Sequence, residues 1–246
     1  MSVLSEFILG CRTDQIRENV IIAPCWYPES VGIVSFSLVS ESPCTIWDCE
    51  INGKQVSYIL TGVGACKCAD LIMALQETRA ERLLFLGSAG ALDSSVSIGD
   101  FIVPESMICA EGASRFLQKN ISDDTFGMRI PVSQSVYEKL SALCRISAGE
   151  RGVRCMEGVG VSVESIYSQY EHMEEIKSLG CNCIDMEASA FLYAAQKIGL
   201  DAAICFCISD NEETGEPLMS VDPQKTDFRK RIRKLVLPDV LKEFFA

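Results

Sequence analysis

The sequence predicts a single α/β domain over residues 1–246, with a mixed, mostly parallel central sheet flanked by helices. Short apolar runs alternate with glycine-bearing turns and helical patterns, which is the order expected of strands covered by helices. No internal repeat, low-complexity stretch or linker rich in proline, glycine and serine divides the chain. With 246 residues, of which 48% are apolar and 23% charged, one substantial core can form.

The first half of the chain contains the clearest strand–helix–strand unit. A strand at 56–60 turns through the glycines of 61–64 into an amphipathic helix at 65–78. A second buried strand at 83–86 follows and ends in the small residues 87–91, which we interpret as a turn. Open α/β sheets bind their ligands at such carboxyl ends of strands, so this turn is a candidate site.

The second half of the chain ends in a long helix at 222–245. Before it, strands are predicted at 100–104 and 202–208, and helices at 133–146, 167–179 and 187–198. The last helix carries a basic run, Arg229, Lys230, Arg231, Arg233 and Lys234. Because the protein is acidic overall, this run is more typical of a solvated helix face than of an anion-binding patch.

The charge balance excludes one class of partner. The chain has 22 Lys+Arg against 34 Asp+Glu, a formal net charge of −12, and such a protein repels polymeric nucleic acid. No stretch reaches membrane-spanning length, and the first residues lack the basic and apolar regions of an export signal. We therefore expect a soluble cytoplasmic protein with no membrane partner.

The cysteines predict reduced thiols and no structural metal. There are 13 cysteines, including three Cys-X-Cys pairs but no Cys-X2-Cys, and the only histidine is His172. A Cys2His2 zinc set therefore cannot form, and an odd number of cysteines in apolar surroundings is typical of core thiols in a reducing compartment.

Three segments are more specific together than any one alone. Residues 83–92 read Leu-Leu-Phe-Leu-Gly-Ser-Ala-Gly-Ala-Leu and precede Ser-Ile-Gly-Asp-Phe-Ile-Val-Pro at 97–104; residues 184–195 read Ile-Asp-Met-Glu-Ala-Ser-Ala-Phe-Leu-Tyr-Ala-Ala, and 207–211 read Cys-Ile-Ser-Asp-Asn. From about 59 to 211 the chain resembles the nucleoside phosphorylase superfamily, which contains purine nucleoside phosphorylases, uridine phosphorylases and methylthioadenosine/adenosylhomocysteine nucleosidases.

The resemblance implies an enzyme that cleaves the N-ribosidic bond of a small-molecule nucleoside, as in purine salvage. We expect a homo-oligomer that uses no metal or organic cofactor, with inorganic phosphate open as a co-substrate. A non-catalytic nucleoside-binding protein on the same fold is a further alternative.

Glu187 and Met186 are the predicted sugar-binding residues. Glu187 directly follows a buried strand, so its carboxylate can accept hydrogen bonds from ribose hydroxyls, and such bonds strengthen as positive charge develops on the ring. Met186 would supply an apolar floor beneath the sugar. Taken alone, Glu187 is more typical of a charge at a helix N-terminus, and only the accompanying motifs favour the catalytic role.

Asp210 is the predicted general acid. It follows an apolar strand, where partial desolvation would raise the pKa of its carboxyl, and it resembles the family aspartate that protonates a purine N7. A lone Ser-Asp-Asn is equally typical of a turn cap. Ser88, with Ala89, Gly90 and nearby amides, can form a nest for an anion or water at the other face of the sugar, although small residues also allow tight packing.

The segment that would contact the base is less complete. Residues 160–167 resemble the family segment whose aromatic pair flanks base and ribose, with Ile166 in place of the usual phenylalanine and Tyr167 kept. The positions that read uracil in uridine phosphorylases fall near Tyr170 and His172, which disfavours uracil. His172 can contact a base, but a solvent-facing position on a helix is more typical.

Water and phosphate remain open as the acceptor. The phosphorylases hold phosphate with arginines in an N-terminal turn and two residues before the Gly-Ser turn; here 23–30 contains no arginine, and Phe85 occupies the second position. Arg12 and Arg82 lie nearby in sequence, and a neighbouring subunit can supply another. Glu29 lies within one residue of the glutamate that activates water in the nucleosidases, so we favour hydrolysis, with phosphorolysis as the alternative and an exposed loop position as the other interpretation of Glu29.

Overall fold

The computed structural model describes residues 2–219 and 221–246 and has the expected α/β fold. The strands are β1 (Asn19–Ala23), β2 (Phe36–Ser40), β3 (Thr45–Ile51), β4 (Lys54–Leu60), β5 (Arg82–Ala91), β6 (Phe101–Ala110), β7 (Arg129–Pro131), β8 (Cys155–Val163), β9 (Cys183–Asp185) and β10 (Asp201–Asn211). The α-helices are α1 (Ser2–Leu9), α2 (Ala65–Ala74), α3 (Ala113–Phe116), α4 (Gln134–Gly149), α5 (Ile166–Gln169), α6 (Met173–Ser178), α7 (Ala188–Lys197) and α8 (Pro223–Phe244). Short 3-10 helices lie at Thr13–Gln15, Pro28–Val31, Leu75–Glu77, Tyr170–His172 and Glu212–Thr214.

The strands form one sheet, part of which closes into a ring. The order along the sheet is β10-β6-β8-β9-β5-β1-β4-β3-β2, with β7 on β6. Because β10 also pairs with β5, the strands β5, β9, β8, β6 and β10 form a closed ring. The strands β1, β4, β3 and β2 extend from β5 as an open wing.

The sheet is mixed, as predicted; parallel and antiparallel pairs of strands are equal in number among the described residues, but the parallel pairs join more residues. In the described residues the parallel pairs are β1–β4, β1–β5, β5–β10, β6–β8 and β8–β9, and the antiparallel pairs are β2–β3, β3–β4, β5–β9, β6–β7 and β6–β10. Tight connections produce part of the antiparallel half. The turn from β3 to β4 uses Asn52 and Gly53, both at positive φ, as short hairpins require.

Two of the predicted elements were wrong. Residues 87–91 continue β5 and do not form a turn. Small residues are typical of turns, but here their small side chains allow neighbouring strands to approach closely. The helix predicted at 167–179 divides into α5, a 3-10 helix and α6, because the backbone leaves the helical region at His172 (φ −113°, ψ 14°).

The core lies on both faces of the sheet and is built mainly from its strands and α7. Phe85 of β5 packs against Phe191 and Phe206, with ring centroids 5.2 and 6.0 Å away. All 13 cysteines are free thiols, eight of them buried. Among the described residues, no group of three or more His, Cys, Asp or Glu is arranged to hold a metal ion, and none of the described helices is long and apolar enough to cross a membrane.

Helix α8 buries part of the basic run that was predicted to be solvated. Arg233 is only 6% exposed and Arg229 is half-buried, whereas Lys230, Arg231 and Lys234 are exposed. Positions four apart lie on the same face of a helix, so Arg229 and Arg233 both face inward, next to the buried Ile232. The solvated-face prediction is therefore wrong for these two arginines.

Candidate active site

A cavity of about 300 Å³ lies where two strands separate from β5. Strand β1 pairs with one edge of β5 only as far as Phe85. Strand β9 pairs with the same edge from Gly90 onwards. The intervening edge of β5 borders the cavity with Ser88 and Ala89. Of the predicted site residues, those that line the cavity are Ser88, Ala89, Gly90, Ile166, Met186, Glu187 and Asp210.

A β-bulge directs Asp210 towards this cavity. The register between β10 and β5 shifts between Ile208 and Asp210, so that Asp210 pairs with Gly90. Its carboxyl is buried and accepts a hydrogen bond from the Ser209 hydroxyl. Burial raises the pKa of Asp210 above its ordinary value, against the lowering effect of the Ser209 bond. The carboxyl is therefore biased towards the protonated form that a general acid needs.

Asn211, and not Asp210, fills the turn-capping role that the Ser-Asp-Asn sequence also suggested. The Oδ1 of Asn211 accepts a hydrogen bond from the Glu213 amide at 2.9 Å. Its Nδ2 donates to the carbonyl oxygens of Asp93 and Val96, at 3.0 and 2.7 Å. Because Asn211 satisfies these groups, Asp210 is left to face the cavity.

Gly90 leaves the space that the Asp210 carboxyl occupies. A Cβ at residue 90 would lie 2.8 Å from Oδ2 of Asp210 and 3.2 Å from Cγ2 of Ile184. We expect Gly90→Ala to displace the carboxyl and lower kcat at least tenfold, with a smaller effect on the melting temperature. Gly149→Ala is the matched control, because a Cβ there meets nothing within 4 Å. Equal kcat in the two variants, measured by base release, would show that the carboxyl does not need this space.

The backbone of residue 64 holds Glu187 at the opposite wall. Oε1 of Glu187 accepts a hydrogen bond from the Gly64 amide at 2.7 Å. Gly64 has φ 125° and ψ 128°, a conformation that residues with a Cβ rarely adopt. The glycine-bearing turn after β4 therefore positions a catalytic candidate that lies 123 residues further along the chain.

Asp185 satisfies the start of α7 and so releases Glu187 from that task. Oδ2 of Asp185 accepts hydrogen bonds from the amides of Glu187 and Ala188, at 3.1 and 2.8 Å. Its Oδ1 accepts from the Ser162 hydroxyl, whose oxygen in turn accepts the Ser189 amide at 2.8 Å. The helix-terminus role proposed as an alternative for Glu187 is thus performed by Asp185.

The two neighbouring carboxyls differ in their hydrogen bonding. Burial raises the pKa of both, and the charge of Asp185 further raises the pKa of Glu187, to about 8. Asp185 is the better stabilised anion because it accepts three hydrogen bonds, whereas Glu187 accepts one. When Glu187 is ionised, its poorly stabilised carboxylate is consequently a strong hydrogen-bond acceptor for any group that carries developing positive charge.

Three candidate residues do not reach this cavity. Glu29 is exposed in the 3-10 helix Pro28–Val31, and Tyr167 is 85% exposed; neither lines the cavity. His172 is exposed, lies close to Glu175, and lines a neighbouring cavity of about 320 Å³. The solvent-facing interpretation of His172 is the one that the structure supports.

The arginines considered from sequence also lie elsewhere. Arg12 pairs with Asp14 at the surface, and Arg82 begins β5, at the opposite end of the strand from Ser88. In their place the cavity is lined by Cys25 and Arg229, which sequence reasoning did not assign to the site. Arg229 belongs to the basic run of the last helix. Only its position on the same helix face as Ile232 could have indicated that its side chain faces inward.

Comparisons with known proteins show the family to which the chain belongs. A family model described as the phosphorylase superfamily matches residues 38–239. The 5′-methylthioadenosine/S-adenosylhomocysteine nucleosidase of Actinobacillus succinogenes is 24% identical over 186 residues, which cover 72% of this chain and 76% of the relative. The DeoD-type purine nucleoside phosphorylase of Shewanella frigidimarina is 26% identical over 176 residues, or 71% of each chain.

The fold is also found among solved structures. A uridine phosphorylase from Vibrio fischeri ES114 has a TM-score of 0.74 over 92% of each chain, at 20% sequence identity. At that identity the likeness concerns the fold alone, while the family model spans most of the chain. The three motifs and the family match lead to the same conclusion: this chain belongs to the phosphorylase superfamily.

Proposed function

We propose that the protein is an enzyme that cleaves the N-ribosidic bond of a nucleoside and releases the free base. The observation that carries the proposal is that two buried carboxyls with raised pKa values, Glu187 and Asp210, line one cavity. Superfamily membership and the names of the nucleosidase and phosphorylase relatives support the same reaction.

Three of the cavity residues have a proposed role in this reaction. Glu187 accepts hydrogen bonds from the ribose hydroxyls and stabilises the cationic sugar of the transition state, while Met186 contacts its apolar face. Asp210 donates a proton to the departing base, which makes the base a better leaving group. A purine is the proposed base, since a protonated carboxyl can donate to N7 and since the relatives are named for purine nucleosides or methylthioadenosine.

The proposed enzyme is a homo-oligomer in the cytoplasm. It uses no metal or organic cofactor. Large apolar side chains are exposed on the surface, among them Tyr167, Phe116 at 73% and Phe126 at 62%, and a second copy would remove them from water. The free thiols support a reducing compartment. The acceptor is water or phosphate, but the favoured water-activating residue, Glu29, is exposed and outside the cavity lining.

The reaction is tested by incubating the purified protein with methylthioadenosine, inosine, adenosine and uridine, with and without phosphate. We expect free base from at least one purine nucleoside and little or none from uridine, measured by chromatography. Asp201→Asn, at the exposed start of β10, is a control that should keep full activity. No free base from any nucleoside would overturn the proposed reaction and favour a binding protein.

A further inference from the structure

Arg229 and Arg233 lie one helical turn apart on α8 and lack acidic partners. Within the described residues neither guanidinium forms an ion pair, although the protein has a large acidic excess. Arg17, which is also partly shielded, has its guanidinium on Asp48. The Nε of Arg229 is buried and has no hydrogen-bond partner in the described structure. A shielded cation without a partner is unfavourable, so an anion from outside the chain would stabilise this pair.

Packing holds Arg233 and the helix that carries both arginines in place. The Arg233 guanidinium lies 4.1 Å from the centroid of the Trp26 ring, and its Nε donates to the Ser30 carbonyl at 2.9 Å. Desolvation lowers the pKa of Arg233, as expected for an uncompensated buried cation. The helix itself is fixed by close packing, because a Cβ at Gly99 would lie 2.8 Å from the Phe228 ring. Arg233 is therefore a fixed positive charge one helical turn from Arg229, which lines the cavity.

One member of the pair borders the cavity that contains Ser88. Arg229 lines the cavity together with Ser88 and Cys25. Burial raises the pKa of the Cys25 thiol, and the charges of Arg233 and Arg229 act against this rise. The Ser88 hydroxyl and the backbone amides at the bordering edge of β5 are further hydrogen-bond donors. Together with the two guanidinium groups they form the donor set that a phosphate dianion requires.

We propose that Arg229, backed by Arg233, binds inorganic phosphate beside Ser88, and that this phosphate is the acceptor in the reaction. The inference rests on the proposed function. A phosphate oxygen of HPO₄²⁻ forms a bond to C1′ of the ribose while the bond from C1′ to the base nitrogen breaks, and its electron pair leaves with the base. Asp210 protonates the base and regains a proton, through solvent, from the phosphate. The products are ribose 1-phosphate and the neutral base.

Phosphate binding is measured first, because it does not depend on turnover. By calorimetry with inorganic phosphate, Arg229→Gln should raise the Kd at least about tenfold, since it removes charge-assisted bonds to the anion. Lys230→Gln, an exposed neighbour on the same helix, should leave the Kd unchanged. Arg229→Lys keeps the charge but not the planar fork and should give an intermediate Kd, which preserves the comparison if the glutamine variant is poorly folded. Equal Kd values in all four proteins, or no binding to the wild type, would overturn the anion site.

The role as acceptor is then tested with the wild type and Arg229→Gln. Base release from a free nucleoside should saturate with phosphate and yield ribose 1-phosphate in equal amount, and Arg229→Gln should raise the KM for phosphate but not that for nucleoside. Undiminished release in phosphate-free buffer would overturn phosphate as acceptor. Release from nucleoside 5′-monophosphates alone, without added phosphate, would instead assign the arginines to the substrate's own phosphate. If no substrate releases base, the proposed function fails, while the calorimetry still decides the anion site.

Discussion

Asp210→Asn is expected to lower kcat by about 10²- to 10⁴-fold, the usual contribution of a general acid, and to change nucleoside affinity by less than about threefold. Asparagine keeps the shape of the side chain and can still accept the Ser209 hydroxyl, but it has no acidic proton to give to the base. Steady-state kinetics give kcat, and equilibrium binding of an unreactive nucleoside analogue gives the affinity.

The dependence of kcat/KM on pH provides a second test of Asp210 as the general acid. Because burial raises the pKa of Asp210, the acid is protonated below that raised value, and kcat/KM should fall as the pH rises through it. The residual activity of Asp210→Asn should lack this fall. An asparagine variant with wild-type kcat would remove Asp210 from the mechanism.

Glu187→Gln should have opposite effects on activity and stability. Above about pH 8, where Glu187 is ionised, loss of the negative charge removes stabilisation of the cationic sugar, so kcat/KM should fall about 100-fold. The folded pKa of Glu187 lies above its ordinary value of 4.5, so the folded state binds the proton more tightly. The stability contributed by this group is therefore complete below about pH 4.5 and is lost as the pH rises through about 8. Glutamine, which never ionises, should make the protein more stable at pH 9 by up to about 5 kcal/mol.

Urea unfolding at pH 5 and pH 9 measures the stability difference. The free energies of unfolding of wild type and Glu187→Gln should differ little at pH 5 and clearly at pH 9, whereas Glu171→Gln, at an exposed position, should match the wild type at both. A glutamine variant that is less stable than the wild type at pH 9 would show that the ionised carboxylate is not costly in the free enzyme.

The elements with a clear local pattern were predictable from sequence. Helices α2, α4, α7 and α8, and strands β4 and β10, were expected within a few residues, because their apolar periodicity matches their burial. Strand β8 was missed because Gly158 and Gly160 interrupt its apolar pattern. The glycines of 87–91 suggested a turn, yet they lie in a strand where Asp210 and other neighbours approach closely.

The site was predictable where a motif carries it and not where distant segments meet. Glu187, Met186 and Asp210 were assigned from motifs and line one cavity. The bond from Arg233 to Ser30 joins residues 203 positions apart, and no local pattern indicates such a contact. The basic run also did not distinguish the inward-facing arginines from their exposed neighbours, because burial of a cation depends on tertiary packing.

The most direct test of nucleoside cleavage at this cavity is proton NMR of a purine nucleoside incubated with the purified enzyme in phosphate buffer. We expect the H1′ resonance of the nucleoside to be replaced by that of ribose 1-phosphate, with free purine in equal amount and no such change with Asp210→Asn over the same time. An H1′ resonance of free ribose would show that water is the acceptor. A spectrum that does not change with the wild-type enzyme would contradict N-ribosidic cleavage itself.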